Sequence, residues 1–421
     1  MGTVDILLWG LLSEKKKDRL RAAELLGQLG DPKAVRPLLG IVHNSYEDID
    51  VRIAATRSVA KIGDLNAVPE LLNAYKTHKG FVGLPIVEAV SEILGRTAPE
   101  DEKSRDVFSN AVNWLIEVAQ ERNSRLVFRD FQTLCKVRLA AVEALAKIRD
   151  PKVIPALTNQ LHDDSLCIED AVAAARALRH FNDPQAIQAL IQAAGNKNIA
   201  DNVREVAVES LGDIGNPNAV DTLIQILEDR AERFPIRRAA ARTLGRIGDP
   251  KAIEPLIGTL ERERASVGGY IGGTTAEILG EDITKALGAF RDPRVTDALV
   301  KALGYEYSIA HGAAESLKKL RDRRAVEPPI RLAEKGGIYD HTPLLALQIL
   351  GVLGDPRAVP TLVKAMRHPH PLMSQYATES LRRFLITHPD AILRAAPKDR
   401  DLMGRVFQDA ERDEFTKSVC G

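Results

Sequence analysis

The fold of this chain is indicated by one stretch, LGRIGDPKAIEPL, which runs from Leu244 to Leu256. Gly248 suits the left-handed conformation that ends many helices, and the next residue, Asp249, is a good N-cap. Pro250 fits the first turn of a helix, where its missing N–H costs nothing. Apolar residues at helical spacing follow. The stretch therefore predicts the end of one helix, a tight corner and the start of a second helix.

The same corner recurs along the chain, and we call its aspartate or asparagine the anchor. The anchors are Asp31, Asp64, Asp150, Asp183, Asn216, Asp249, Asp292, Asp322 and Asp355. Five of the steps between consecutive anchors are 33 residues long. A fixed period of this length is typical of arrays of stacked helix pairs, in which each repeat buries its apolar face against its neighbours.

Two apolar columns keep the same register as the anchors. Seven residues after the anchors stand Leu38, Leu71, Leu157, Leu190, Leu223, Leu256, Leu299 and Leu362. Nine residues before them stand Ala22, Ala55, Ala141, Ala174, Ala207, Ala240, Ala313 and Ala346. The columns predict helices that approach closely, with leucines filling the layer between them. The exceptions are Ile283 and Pro329, and the proline weakens the prediction of a helix after Asp322.

Composition limits the class of function. The chain has 421 residues, and its 58 basic Lys and Arg residues balance 58 acidic ones. We therefore expect no nucleic-acid partner and no binding to an anionic membrane surface. We find no signal peptide at the start and no apolar run of the roughly 18 residues that a membrane span needs. Cys135, Cys167 and Cys420 are too scattered for a disulfide framework, which favours a cytoplasmic location.

These patterns predict an all-α fold, an α-solenoid (superhelix) of about eleven antiparallel helix pairs over residues 1–388. In each pair, helix A follows the corner and a loop joins it to helix B. A polar break near residues 96–102 is the best candidate for a bend. Insertions near residues 121–132 and 265–275 lengthen two A–B loops. Residues 389–421 are expected to form a C-terminal capping helix and tail.

The phrase Gly-Asp-Pro-x-Ala-hydrophobic-x-Pro-Leu resembles the HEAT-repeat superfamily and, more narrowly, the phycobilisome-lyase HEAT-like repeats. The start of helix B resembles them too, in the phrases Val51–Ala55, Val137–Ala141 and Ile236–Ala240. The resemblance implies that the B helices line the concave side of the array. It is specific for the fold and says little about function, because such repeats serve many partners.

An arginine column lies twelve residues before the anchors, at Arg19, Arg52, Arg138, Arg204 and Arg237. The resemblance implies that each arginine reaches an anchor aspartate of the neighbouring repeat. The alternative is a row that binds carboxylates or phosphates, for which planar guanidinium groups are suited. Arg52, Arg138, Arg204 and Arg237 are therefore candidate binding residues. The column is empty at Ala171, Gly280, Ala310 and Pro343.

Aromatic residues gather in or beside the A–B loops, which should share one edge of the solenoid. They are Tyr46, Phe81, Phe128, Phe131, Phe234, Tyr270, Tyr305, Tyr307 and Tyr339. Each ring either folds back onto its own repeat or belongs to a contact surface, since exposed aromatics near arginines are typical of interfaces. The candidate binding residues from this set are Phe128, Phe131, Tyr270, Tyr305, Tyr307 and Tyr339, together with Arg129.

The function that these features favour is a non-catalytic scaffold or adaptor for a partner protein, which would bind the concave B-helix face and the rim of A–B loops. No residue is a candidate for catalysis or metal binding, and we expect no cofactor. The chain would be a monomer or a subunit of a hetero-complex. One alternative is a phycobilin (tetrapyrrole) lyase or attachment chaperone, in which arginines hold propionates and aromatics flank the bilin. A further alternative is a maturation factor for an enzyme with a cofactor or metal cluster.

Overall fold

The computed structural model describes residues 2–121, 131–163, 167–266, 275–335, 342–394, 397 and 399–408. Throughout these residues the regular structure is helical, with no β-strand, so the predicted all-α fold is confirmed. The chain divides into two compact units, Met1–Ile214 and Gly215–Gly421. Each unit is a stack of helix pairs, as an α-solenoid requires.

The first unit contains five helix pairs and one long helix among its described residues. Its helices are α1 Thr3–Gly10, α2 Lys16–Leu29, α3 Val35–His43, α4 Ile49–Ile62, α5 Val68–Arg96, α6 Glu102–Ala119, α7 Phe131–Ile148, α8 Ile154–Leu161, α9 Ile168–Leu178, α10 Pro184–Gly195 and α11 Asp201–Ile214. The B helices α2, α4, α7, α9 and α11 are the second members of the pairs. Helix α2 packs on α4, α7 packs on α9, and α9 packs on α11, so consecutive repeats meet along their B helices.

The second unit repeats this arrangement. Its helices are α12 Val220–Glu228, α13 Phe234–Ile247, α14 Ile253–Ser266, α15 Thr275–Leu287, α16 Pro293–Ala302, α17 Tyr307–Leu320, α18 Glu327–Lys335, α19 Thr342–Leu353, α20 Val359–Met366, α21 Pro371–Thr387 and α22 Ala391–Arg394. The B helices α13, α15, α17, α19 and α21 pack in succession. Pro329 lies buried inside α18, so the helix after Asp322 does form.

The corners contain the capping residue that the sequence indicates, and most also contain a short 3₁₀ turn that it does not. Gly248 ends α13 with a left-handed φ of 72°, and Asp249 accepts a hydrogen bond from the N–H of Lys251 at 2.9 Å. A short 3₁₀ turn, Pro250–Ala252, then precedes α14. Two corners use arginine in the left-handed conformation instead of glycine, Arg149 and Arg321. The aspartate cap therefore persists where the glycine does not.

Both apolar columns are buried, as predicted. B helices approach closely where a glycine faces a small residue, as at two glycine–serine contacts. A Cβ atom added to Gly27 of α2 would lie 2.7 Å from the Cα of Ser58 in α4, and the Ser58 hydroxyl donates to the Ala23 carbonyl at 2.8 Å. In the second unit, a Cβ on Gly351 would also lie 2.7 Å from the Cα of Ser380. Only a residue without a side chain fits at these two contacts.

The third repeat differs from its prediction. The apolar spacing predicts two helices, Asn66–His78 and Leu84–Leu94, but the structure has one helix of 29 residues, α5, with Pro85 inside it. The reason is local. The intervening sequence, KGFVG, contains glycines but no Ser, Thr, Asp or Asn that could cap a new helix. The ten helix pairs of the described chain and α5 together account for eleven repeats.

Several predicted features lie at or beyond the edges of the described residues. Most of the insertions near 121–132 and 265–275 lies outside them. The break near 96–102 is the connection between α5 and α6, within the first unit, and Asp101 caps α6 by accepting from the N–H of Ser104 at 2.7 Å. Of the tail, residues 399–408 are helical, with Met403 and Val406 buried.

Across the described ranges, we find no helix with both the length and the apolar character needed to cross a membrane.

Candidate interaction surface

Four arginines of the column are buried at the start of the B helices, where they bind backbone carbonyls at or just after the end of helix A in their own repeat. They are Arg52, Arg138, Arg204 and Arg237. Arg52 donates to the Val42 carbonyl from Nε and Nη2, at 3.0 and 2.8 Å. Arg204 donates to the Ala194 carbonyl in the same way, at 3.1 and 3.0 Å. Arg237 donates from Nε to the carbonyl ten residues earlier, at 3.1 Å. Each guanidinium thus places a positive charge at the C-terminus of an A helix, and we call these contacts arginine clamps.

Some of these arginines also reach an acidic side chain of the following repeat. Arg19 forms a two-point contact with Glu47, at 3.0 Å from Nε and 2.8 Å from Nη2. Arg237 donates from Nη2 to Glu263 at 2.7 Å. The expectation of an anchor aspartate as partner is wrong for these residues. The anchor carboxylates cap their own corners instead, which leaves the arginines to carbonyls and to other acids.

Arg138 is the most enclosed of the set, at 2% exposure. Its Nη1 donates to the Glu121 carbonyl at 3.1 Å, and its Nε and Nη2 lie 3.0 and 2.7 Å from Oδ2 of Asp170 in α9. Nη2 also lies 3.6 Å from Sγ of Cys135 and 3.2 Å from Sγ of Cys167. Burial raises the pKa of the Asp170 carboxyl, and the Arg138 guanidinium opposes this shift. This arginine therefore joins two consecutive repeats.

The clamps face inward. Arg52, Arg138, Arg204 and Arg237 are each at most 8% exposed, and burial lowers the pKa of the Arg52 guanidinium. Their contacts hold helix A to helix B within a repeat, and those of Arg138 and Arg237 also join consecutive repeats. Whether they also bind a partner is a prediction that these contacts do not test.

Two of the cysteines are paired, although the sequence suggests that the three are too scattered for a disulfide framework. Cys135 of α7 and Cys167 before α9 form a disulfide, with Cα atoms 6.7 Å apart. A signal for this was present in the sequence. The residues are 15 and 16 positions before their anchors, Asp150 and Asp183, so they occupy neighbouring sites in consecutive repeats.

The aromatic residues of the A–B loops divide between the two predicted behaviours. Tyr46 is 98% exposed between α3 and α4, and Tyr307 is 58% exposed at the start of α17. Tyr305 is half-buried, and the guanidinium carbon of the exposed Arg264 lies 4.3 Å from its ring centre. Phe234, also half-buried, has Arg238 at 5.6 Å from its ring. The loop edge thus presents two exposed tyrosines and two arginine–aromatic contacts.

The other candidates cannot be placed. Phe128, Arg129, Tyr270 and Tyr339 lie outside the described residues, and Phe131 begins α7 without a described side chain.

The exposed side of the B helices contains grooves between consecutive repeats. One groove, of about 540 Å³, lies between α2 and α4, and Leu20, Ile53 and Arg57 are among its lining residues. Another, of about 360 Å³, lies mainly between α7 and α9 and is lined by the corresponding residues Leu139, Val172 and Arg176. The two grooves have the same design, because the same helix faces form them in different repeats.

The sequence interpretation missed these groove residues, although a signal was available. Leu20, Ile53, Leu139 and Val172 all lie eleven residues before an anchor, one position after the arginine column. All four are half-exposed. Apolar residues that four repeats of the first unit leave partly open to solvent at this position indicate a contact surface.

In the part of the chain that the structure describes, no group of three or more His, Cys, Asp or Glu side chains is arranged to hold a metal ion.

A family model described as HEAT repeats matches more than half of the chain, at residues 4–91, 133–208, 166–234 and 200–268. The chain therefore belongs to the HEAT-repeat family. A second model, described as PBS lyase HEAT-like repeat, matches residues 281–305 and 345–368. The resemblance that the anchors indicate is confirmed.

Solved structures share this fold. The karyopherin Kap121p bound to Nup53p has 11% sequence identity and a TM-score of 0.63, over 97% of this chain and 48% of that one. The Kap95:Nup1 complex has 14% identity and a TM-score of 0.62, over 99% of this chain and 60% of that one. This chain thus spans about half the length of these proteins. Identities this low show the fold alone. No curated protein matches the sequence.

Proposed function

We propose that this chain is a non-catalytic scaffold that binds a partner protein along the exposed B-helix surface and the A–B loop edge. The observation that carries the proposal is the pair of B-helix grooves, which recur with the same design in different repeats. A repeated open groove suits an extended partner that makes many similar contacts. An enzyme pocket instead brings a few chemical groups together at one place.

The chemistry of the grooves suits a protein partner. The lining of each groove combines apolar residues with charges of both signs, such as Glu24 and Arg57 in one groove and Glu143 and Arg176 in the other. Mixed charge agrees with the zero net charge of the chain. A nucleic acid would require a basic surface, whereas a peptide segment with apolar and charged side chains fits such a groove.

The exposed tyrosines extend this surface to the loop edge. Tyrosine offers a large contact area and a polar hydroxyl, and it is enriched at protein interfaces. The similar structures Kap121p and Kap95 are seen with Nup53p and Nup1, respectively. This supports a scaffold role here, although the identity of the partner cannot be carried over.

The test is a quantitative affinity purification that compares matched variants. In Arg57→Glu/Arg176→Glu, both grooves lose a cation and gain an anion. In the control, Arg36→Glu/Lys152→Glu, the same change is made at exposed residues of α3 and of the corner before α8. We expect a protein that the wild type and the control enrich equally, and that the groove variant enriches about tenfold less, equivalent to about 1.4 kcal/mol. If the two variants lose it equally, or the wild type enriches no protein, the scaffold proposal is wrong.

A second candidate, a bilin lyase or attachment chaperone, is favoured by the two PBS lyase HEAT-like matches. The exposed Arg264 beside Tyr305 could hold a propionate next to an aromatic ring. Adding a phycobilin to the purified chain should then shift and sharpen the bilin absorbance, and Arg264→Ala should reduce the shift. An unchanged spectrum would eliminate this candidate. A maturation factor for another enzyme would use the same groove surface and would be recognised by the identity of the captured partner.

A further inference from the structure

We propose that Cys135 and Cys167 form a reversible dithiol–disulfide site that links the fourth and fifth repeats, with Arg138 as its positioning residue. The site is independent of the proposed scaffold function, because it requires only the chain itself and a small-molecule disulfide. Its evidence is the arrangement of four side chains on α7 and α9.

The two cysteines meet the geometric requirement for a bond. Their Cα atoms are 6.7 Å apart, within the range of about 4.4–6.8 Å that protein disulfides span. Cys135 lies in the first turns of α7, and Cys167 immediately precedes α9. Both residues are partly exposed to solvent.

A buried cation is placed beside both sulfur atoms. The Nη2 of Arg138 lies 3.2 Å from Sγ of Cys167 and 3.6 Å from Sγ of Cys135. A guanidinium at this distance stabilises a thiolate, which is the form that attacks a disulfide. Arg138 is held in place by Asp170. It also differs from Arg52 and Arg204 because those arginines have no cysteine beside them.

Asp170 fixes this arginine in place. Its side chain is fully buried, and its Oδ2 atom accepts from Nε of Arg138 at 3.0 Å. Contacts between a guanidinium and a carboxylate are strong and directional. Asp170 therefore keeps the positive charge of Arg138 next to the two sulfur atoms.

The chemistry needs a low-molecular-weight disulfide as oxidant. The thiolate of one cysteine attacks a sulfur of that disulfide, forms a mixed disulfide and releases one small thiolate. The second cysteine, as its thiolate, attacks the protein sulfur of the mixed disulfide and releases the other small thiolate. Two protein thiols thus lose two protons and two electrons, and one small disulfide is reduced to two thiols.

The experiment uses the full chain in the Cys420→Ser background, equilibrated with mixtures of reduced and oxidised glutathione. Free thiols are blocked with N-ethylmaleimide and counted by intact mass. We expect two blocked thiols under reducing mixtures and none under oxidising ones, with a cross-linked peptide that joins Cys135 to Cys167. Returning the oxidised protein to the reducing mixture should restore both thiols.

Rate measurements test the role of Arg138. Arg138→Lys keeps the positive charge and should oxidise within about threefold of the parent rate. Arg138→Met/Asp170→Asn removes the charge without leaving an unpaired carboxylate, and it should oxidise about three- to tenfold more slowly, since less thiolate is present. Arg52→Met is the matched control in a repeat without cysteines and should leave the rate unchanged.

The proposal is overturned if both thiols remain free in oxidised glutathione, if the cross-links join different molecules, or if the reducing mixture does not reopen the bond. Equal oxidation rates for the parent and Arg138→Met/Asp170→Asn would remove the assigned role of Arg138.

Discussion

The first unit of this chain and the last repeats of the second unit stabilise their helix pairs in opposite ways. In the first unit, buried arginines such as Arg52 and Arg204 bind the end of helix A from the start of helix B. From α15 onward the column holds Gly280, Ala310 and Pro343 instead. There, exposed arginines two residues after the anchors bind anchor carboxylates that are partly or fully buried, and we call these contacts the surface forks because the arginines lie at the surface. The forks are Arg294–Asp292, Arg324–Asp322 and Arg357–Asp355.

This difference shows that the position of an arginine decides what it contributes. A buried clamp satisfies a carbonyl that water cannot reach, so its loss leaves an unpaired polar group. A surface fork competes with water and salt, and contacts of this kind contribute little. The four arginines that the sequence suggests as binding residues are engaged in these clamps. The grooves and the exposed loop tyrosines are therefore the more accessible candidates for binding a partner.

The largest effect is expected at the most enclosed clamp. Arg138→Ala should lower the free energy of unfolding by about 3–5 kcal/mol, because Asp170 would remain buried and charged without its partner. In Arg138→Met/Asp170→Leu both charges are absent, and most of this loss should be recovered. Urea unfolding followed by circular dichroism measures both. If the single and double variants are equally unstable, the loss does not come from the stranded carboxylate.

A simple clamp should have a smaller but clear effect. Arg52→Ala would leave the Val42 carbonyl unpaired in the interior, at a cost of about 2–3 kcal/mol. Arg57→Ala, on the exposed side of the same helix, is the matched control and should change stability by less than about 0.5 kcal/mol. Similar unfolding midpoints for the two variants would contradict the distinction between a clamp and a surface arginine.

The contact between B helices should be equally sensitive in both units, since glycine faces serine in each. Gly27→Ala and Gly351→Ala introduce a Cβ atom 2.7 Å from a serine Cα, so the helices must separate. Overpacking costs about 1–3 kcal/mol, and the better helix propensity of alanine offsets up to about 1 kcal/mol. Gly40→Ala, where a Cβ atom meets open space, should not destabilise α3. Thermal unfolding of the three variants would show whether the glycines are needed for close approach.

The smallest effect is expected at a surface fork, and it depends on pH. The hydrogen bond from Arg324 lowers the pKa of Asp322 to about 2 from its usual 3.8. A carboxyl with a lowered pKa in the folded state stabilises the fold above its unfolded pKa, and this contribution is lost as pH falls toward about 2. Asp322→Asn should retain the cap, as Asn216 does in its own corner. The melting temperature of the wild type should therefore exceed that of the variant slightly at pH 6, and the difference should disappear near pH 2. A constant difference across this range would refute the assignment.

The sequence predicts the repeat and its corners well, because a helix end, a capping aspartate and an apolar column are local features. It fails where the outcome depends on competition between partners. The arginine column is visible in the sequence, yet nothing local shows that Arg52 prefers a carbonyl over an anchor aspartate. The pairing of Cys135 with Cys167 depends on contact between consecutive repeats. The continuity of α5 does have a local signal, the missing cap in KGFVG, but the apolar spacing on either side predicts two helices. Of the candidate binding residues, Tyr307 lies exposed at the loop edge, Tyr305 is half-buried there, and the four clamp arginines are inside.

The most direct test of the scaffold account is hydrogen–deuterium exchange on the chain with and without the partner that affinity purification identifies. The account predicts slower exchange in α2, α4, α7 and α9, whose exposed sides form the grooves, and unchanged exchange in α3 and α8. Protection that is confined to the A helices, or that is absent from the groove helices, would contradict it.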